Sequence, residues 1–154
     1  MTFARTRDFT LVKSVLTHPT QARMSADDAT DLANWAPNED ERVIYLAVTD
    51  ETDCVALRDL IGIITLIPQN AVCFEIHAAL LPCAWGLRTR LALTGAISWA
   101  FRETPARRIV GSIPEYNKLA IRLARDCGMR AYGRNRASWL RGGKLWDQIL
   151  LGID

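Results

Sequence analysis

Hydrophobic and polar positions change rhythm between Val72 and Phe101, and the rest of the chain is organised around that change. Phe74, Ile76, Ala78 and Leu80 alternate with Glu75, His77, Ala79 and Leu81, the two-residue period of a strand. Pro82 ends the run, and Cys83-Ala84-Trp85-Gly86 makes a turn. Leu87–Phe101 then takes up a helical period, with Leu93, Ile97 and Phe101 spaced four apart on one face. Glu75 and His77 project from one face of the strand. The spacing predicts a titratable pair near the start of the helix.

The same reading extends in both directions. Thr2–Arg7 is a short candidate edge strand. Asp8 caps a helix with apolar positions Leu11, Val12, Val15 and Leu16, ending near Pro19. Ser25-Ala26-Asp27-Asp28 reads as a second helix start, with Ala29, Leu32, Ala33, Trp35 and Ala36 as its buried side. Val43–Thr49 is a strand, and Asp50–Asp53 an acidic turn. Leu60–Pro68 is β-branched and reads as a buried strand, in which Gly62 marks a bulge or a close backbone approach. Gln69-Asn70 turns into the central strand.

Beyond the long helix, Arg108–Ile113 is a strand. Asn117 caps a helix with Leu119, Ala120, Leu123 and Ala124 on one face, and Gly128 suits its C-cap. Tyr132–Leu140 and Leu145–Leu151 flank Gly142-Gly143, a hairpin signal. This order predicts an α+β or mixed α/β class, in which antiparallel and crossover connections coexist.

Composition adds limits. A chain of 154 residues, 49% hydrophobic and 23% charged, suits one domain with its own core, spanning residues 1–154. A net charge of +2 does not call for a nucleic-acid partner. Arg130, Arg134, Arg136, Arg141 and Lys144 read as a solvated face with too few aromatics for base stacking. No apolar run reaches the roughly 20 residues that span a bilayer, and residues 1–20 lack the core of a signal peptide. Cys54, Cys73, Cys83 and Cys127 have no CxxC spacing and read as free thiols in a reducing cytoplasm, with no metal role. Trp139 and Trp146 flank the last hairpin, where an oligomer contact would form.

The element order, with particular residues, resembles the GNAT superfamily of acyl-CoA-dependent N-acetyltransferases. Ile61-Gly62-Ile63 resembles its third strand and Phe74–Pro82 its fourth. Asn117-Lys118-Leu119-Ala120 with Asp126-Cys127-Gly128-Met129 resembles the stretch from the fifth strand to the sixth. Gly143-Lys144 and Trp146-Asp147 resemble the closing hairpin. Glu75-Ile76-His77, Trp99-Ala100-Phe101 and Ile113-Pro114-Glu115-Tyr116-Asn117 are similar to small GNAT-like proteins of tailed bacteriophages.

The resemblance implies a central, mostly antiparallel sheet of six or seven strands flanked by about four helices. It implies acetyl-CoA as cofactor, its pantetheine in a splay between the fourth and fifth strands just past residue 80, and an unknown amine or a protein as partner. The pyrophosphate would lie on the backbone amides of Trp85-Gly86-Leu87-Arg88-Thr89-Arg90. The family favours small residues where Arg88 and Arg90 stand. Either their guanidinium groups hold phosphate, or their bulk closes the loop.

Acetyl transfer to an amine needs a base, an oxyanion donor and an acid for the leaving thiolate. The resemblance points to Glu75 with His77 for the base, to a backbone N–H near Leu80 or Leu81 for the donor, and to Asn117 against the pantetheine. Asn117 is equally a helix cap. The tyrosine that many members use as acid corresponds to Ala124, and Tyr116 is a different position. Two settings follow: an N-acyltransferase of the bacterial cytoplasm, or a non-catalytic component of a phage virion.

Overall fold

The alternation over residues 73–80 does form a strand, and that strand is the middle of the sheet. The computed structural model describes residues 1–50 and 59–154. Its strands are β1 (Thr2–Thr6), β2 (Ile44–Asp50), β3 (Asp59–Pro68), β4 (Cys73–Leu80), β5 (Arg108–Pro114), β6 (Arg130–Arg141) and β7 (Lys144–Ile153). The helices are α1 (Phe9–Leu16), α2 (Pro19–Ser25), α3 (Leu87–Glu103) and α4 (Lys118–Asp126), with a single 3₁₀ turn at Pro82–Ala84. The strands make one seven-stranded sheet in the order β1-β2-β3-β4-β5-β7-β6. All neighbours are antiparallel except β4 and β5. That parallel pair needs a crossover, which α3 supplies.

The pleat sorts side chains onto two faces. On one, Leu46, Val48, Ile64, Leu66, Phe74, Ile76 and Leu80 pack against Ala92, Leu93, Ala96, Ile97 and Ala100 of α3. On the other, Tyr45 and Ile63 pack with Val43 against Val12 and Val15 of α1. Burying each large apolar side chain contributes about 1.5–3 kcal/mol. Gly62 meets both expectations for it. Ile61 is the extra residue where the β2–β3 register shifts between Val48 and Thr49. A Cβ on Gly62 would also lie 2.2 Å from the Ala79 carbonyl oxygen.

Several local readings are corrected. The second helix does not begin at Ser25. It ends there, having started at Pro19 with His18 as its cap, and residues 26–42 are turns and irregular chain. Asp27 accepts a hydrogen bond from the Ala29 N–H (3.2 Å), and Asp31 accepts from the Ala33 and Asn34 N–H groups (3.1 and 3.3 Å). These aspartates take up amides that a helix would need. On α4 the buried residues are Ile121 and Ala124, while Leu119 is 74% exposed. The acidic turn is described only at Asp50, which ends β2; the remainder, with Cys54, lies outside the described residues. Cys73, Cys83 and Cys127 are free thiols. Among the described residues no helix is long and apolar enough to cross a membrane.

Candidate active site

A slot runs through the sheet. β4 and β5 pair only at Cys73–Arg108, Phe74–Ile109 and Glu75–Val110, and then diverge. The parting point is therefore Glu75, not the end of the strand past residue 80. A cavity of about 620 Å³ occupies the opening and is lined from both sides of the sheet. Ile76, Leu93, Ala120, Leu123, Ala124 and Met129 line it on the α3–α4 side. Gln21, Met24, Leu32, Trp35, Tyr45 and His77 line it on the α1–α2 side. Its size is that of a small-molecule site.

Glu75 sits at the fork, with His77 two residues on and on the same face. The His77 Nε2 is 3.6 Å from the Glu75 Oε1, and Gln69 Nε2 donates to Glu75 Oε2 at 3.1 Å. Both side chains line the cavity. They do not neighbour the N-terminus of α3: that helix packs on the opposite face, and five strand residues, a rise of about 20 Å, separate Glu75 from Leu81.

The loop assigned to pyrophosphate is separate from this cavity, since none of Leu80, Leu81 and Trp85–Arg90 lines it. The Leu81 N–H is already engaged, donating to the Ile61 carbonyl at 2.8 Å. By the alternation of an antiparallel ladder, the N–H of Leu80 turns the other way, toward the β5 side. Its carbonyl accepts from Gln21 Nε2 and from the Trp85 indole N–H (3.4 Å). Gly86 caps α3 with φ +97°, a conformation that favours glycine, and no side chain bonds to the cap. Among the described residues nothing lies within 4 Å of where a Gly86 Cβ would be. Thr89 Oγ1 donates back to the Ala84 carbonyl (2.7 Å), bracing the turn. Arg88 Nε lies 3.4 Å from Asp50 Oδ2, and Arg90 is exposed. Neither arginine plugs the slot.

Asn117 caps α4, its Oδ1 accepting from the Ala120 N–H at 3.1 Å, and it also lines the slot. Ala124 is buried and lines the slot where a tyrosine would stand. Tyr116 is elsewhere. Its hydroxyl accepts from Trp139 Nε1 (3.1 Å) and Arg141 Nη1 (2.9 Å), and its ring meets Trp146 edge-on. The basic residues of the hairpin are partly structural, since Arg134 Nη1 pairs with Asp147 (2.9 Å) and Glu115 (3.2 Å).

A family model described as the acetyltransferase (GNAT) domain matches residues 3–130. The chain belongs to the GNAT acetyltransferase family. That description gives its class as an acetyltransferase-like protein. No curated protein sequence matches it. Among solved structures, it is similar to a spermidine N-acetyltransferase from Vibrio cholerae in complex with CoA and spermine. The identity is 16%, the TM-score 0.79, and the match covers 99% of this chain and 94% of that one. A point variant of that enzyme matches with 18% identity, TM-score 0.77 and the same coverage. A dodecameric form in an intermediate state matches with 22% identity and TM-score 0.64, covering 74% and 66% of the two chains. At these identities the structures share the fold.

The GNAT slot also contains residues that the motif reading did not single out. Tyr45 is the clearest. Its hydroxyl donates to the Asn38 carbonyl (3.1 Å) and accepts from the Asn38 N–H (2.8 Å), and burial raises its pKa. Strand alternation from Val43 would have placed it on the α1 face. Trp35 was expected to be buried, but as part of a helix. Instead it sits in the irregular segment that roofs the slot.

Proposed function

We propose that the chain is a catalytically active GNAT N-acetyltransferase of a small amine, with Glu75 and His77 at the amine. One observation supports this above the others: the slot opens at Glu75 and passes from one face of the sheet to the other, so two reactants can meet from opposite sides. Acetyl-CoA, when bound, supplies an activated acyl thioester. Its phosphates fit the uncapped first turn of α3 after Trp85-Gly86, where free amides and the helix dipole favour an anion, with Leu87–Arg90 alongside. Its arm fits the part of the slot lined by Ala120, Leu123 and Asn117.

The Glu75 carboxylate attracts and orients the substrate ammonium. Glu75 then accepts the ammonium proton, with His77 3.6 Å away to relay it to solvent, leaving a neutral amine nucleophile. No phenol stands at Ala124, so protonation of the leaving thiolate falls to water.

Calorimetry and thermal shift with acetyl-CoA test the reading, followed by thiol release across a panel of amines. Ligand at 100 times its dissociation constant should add roughly 2.7 kcal/mol of stability. No stabilisation at millimolar acetyl-CoA would leave only the scaffold. The rival, a non-catalytic phage virion component, has no structural observation in its favour. A bacterial cytoplasmic setting fits the free thiols. Oligomerisation, suggested by the dodecameric relative and the hairpin tryptophans, is readable by light scattering.

A further inference from the structure

We infer that the acceptor is a monoamine, with one ammonium on an apolar body of about aromatic-ring size, and not a polyamine. This rests on the slot being the acyl-transfer site and narrows the substrate class within it. Among the described residues lining the slot, Glu75 is the one carboxylate. The α1–α2 side where the amine would lie combines apolar surface from Leu16, Met24, Leu32, Trp35, Tyr45 and Ile67 with uncharged polar side chains such as Gln21, Thr30 and Asn38, and His77 stands beside Glu75. Its polar side chains carry no second negative charge: the Tyr45 hydroxyl is satisfied by both main-chain groups of Asn38, the Thr17 and Ser25 hydroxyls donate to the Lys13 and Gln21 carbonyls, and the Thr30 hydroxyl donates to Asp27.

The nearby aspartates are committed elsewhere and none lines the slot. Asp27 and Asp31 hold their own turns, and Asp28 receives the Gly142 and Gly143 N–H groups at 2.8 Å each. One charge on Glu75 matches one ammonium. A second or third ammonium drawn into this space would lose its water without gaining a second carboxylate. The rings of Trp35 and Tyr45 offer flat apolar surface to a substrate body instead.

The test uses the full chain with saturating acetyl-CoA and four acceptors: phenethylamine, hexylamine, spermidine and a short peptide with a free N-terminus. Thiol release and product mass are read, and each amine is also titrated by calorimetry. Phenethylamine should exceed spermidine in kcat/KM by at least about tenfold, the scale of apolar-pocket discrimination. Spermidine turned over equally well or better, or the peptide acetylated alone, would overturn the inference while leaving acyl transfer intact. If no amine turns over, the proposed activity fails and the titrations decide this point separately. Tighter binding of phenethylamine supports it; tighter spermidine, or neither binding, overturns it.

A gain-of-function variant sharpens the test. Leu32 is 37% exposed and lines the slot, so Leu32→Glu adds a second carboxylate without disturbing the core. It should raise spermidine kcat/KM relative to phenethylamine by at least about tenfold, the scale of a charge-specific contact. An unchanged ratio counts against charge number as the selector.

Discussion

The two regions proposed for the amine and for the cofactor phosphates are built on opposite plans. At the amine end, α2 and the irregular segment after it are fastened to the β6–β7 hairpin by bonds the protein makes with itself. Asp28 grips the glycine turn, Arg141 donates to the Arg23 and Ala26 carbonyls, and the Tyr116 hydroxyl gathers Trp139 and Arg141. At the cofactor end, α3 starts at a glycine with no side-chain cap, flanked by Trp85 at 59% and Leu87 at 71% exposure. Polar groups that satisfy one another hold a shape. Amides and apolar surface left to water can accept a ligand. The amine end thus reads as a rigid mould and the cofactor end as an open cradle.

Substitutions should separate the two ends. The largest effect is expected from Glu75→Gln, which should lower turnover by roughly 10²- to 10⁴-fold, the usual worth of a positioned acid–base group. Acetyl-CoA should still stabilise that variant in a thermal-shift assay; unchanged turnover would remove Glu75 from the chemistry. Next comes Ala124→Phe, which fills the slot on its α4 side. Overpacking should cost about 1–3 kcal/mol in denaturant unfolding, and stabilisation by acetyl-CoA should disappear. Retained stabilisation would mean that the arm takes another path.

Tyr116→Phe attacks the mould alone. Losing the shared acceptor should cost about 1–2 kcal/mol in urea melts and raise the amine KM, with acetyl-CoA affinity unaltered. A loss confined to acetyl-CoA binding would reverse the assignment of the two ends.

Acid should loosen the same clasp. The N–H groups of Gly143 and Gly142 hold the Asp28 carboxyl below its ordinary 3.8. A lowered folded-state pKa means that the unfolded chain takes up the proton first. The clasp's contribution is therefore present above 3.8 and fades as pH falls through that value and below. The urea midpoint of Asp28→Asn should show a shallower acid decline than that of the parent chain. The smallest effect is expected from Arg88→Ala. Its partly exposed pair with Asp50 is worth about 0–1 kcal/mol, so stability should barely move.

Much of the architecture was legible in the chain because short-range rules govern it. The period-two run through Phe74 and Leu80, the Asn117 cap and the Gly142-Gly143 turn all reappear where the residues pointed. Ser25–Ala36 was misread because apolar spacing there mimics a helix, while the carboxylates of Asp27 and Asp31 draw the amides into turns. Leu119 was misplaced for a related reason: five apolar residues of α4 leave its buried face ambiguous until packing against α3 chooses it.

The candidate site divides along the same line. Glu75, His77 and Asn117 were visible as residue types at marked positions. That they border one cavity depends on where β4 leaves β5, a separation no local pattern encodes. The chain by itself determined its strands, its caps and its family, since these follow from neighbours a few residues apart. Only the tertiary structure decided that the opening begins at Glu75, that Tyr45 and Trp35 face it, and that Arg88 turns to Asp50. Each of those outcomes joins residues distant in sequence, and packing alone brings them together.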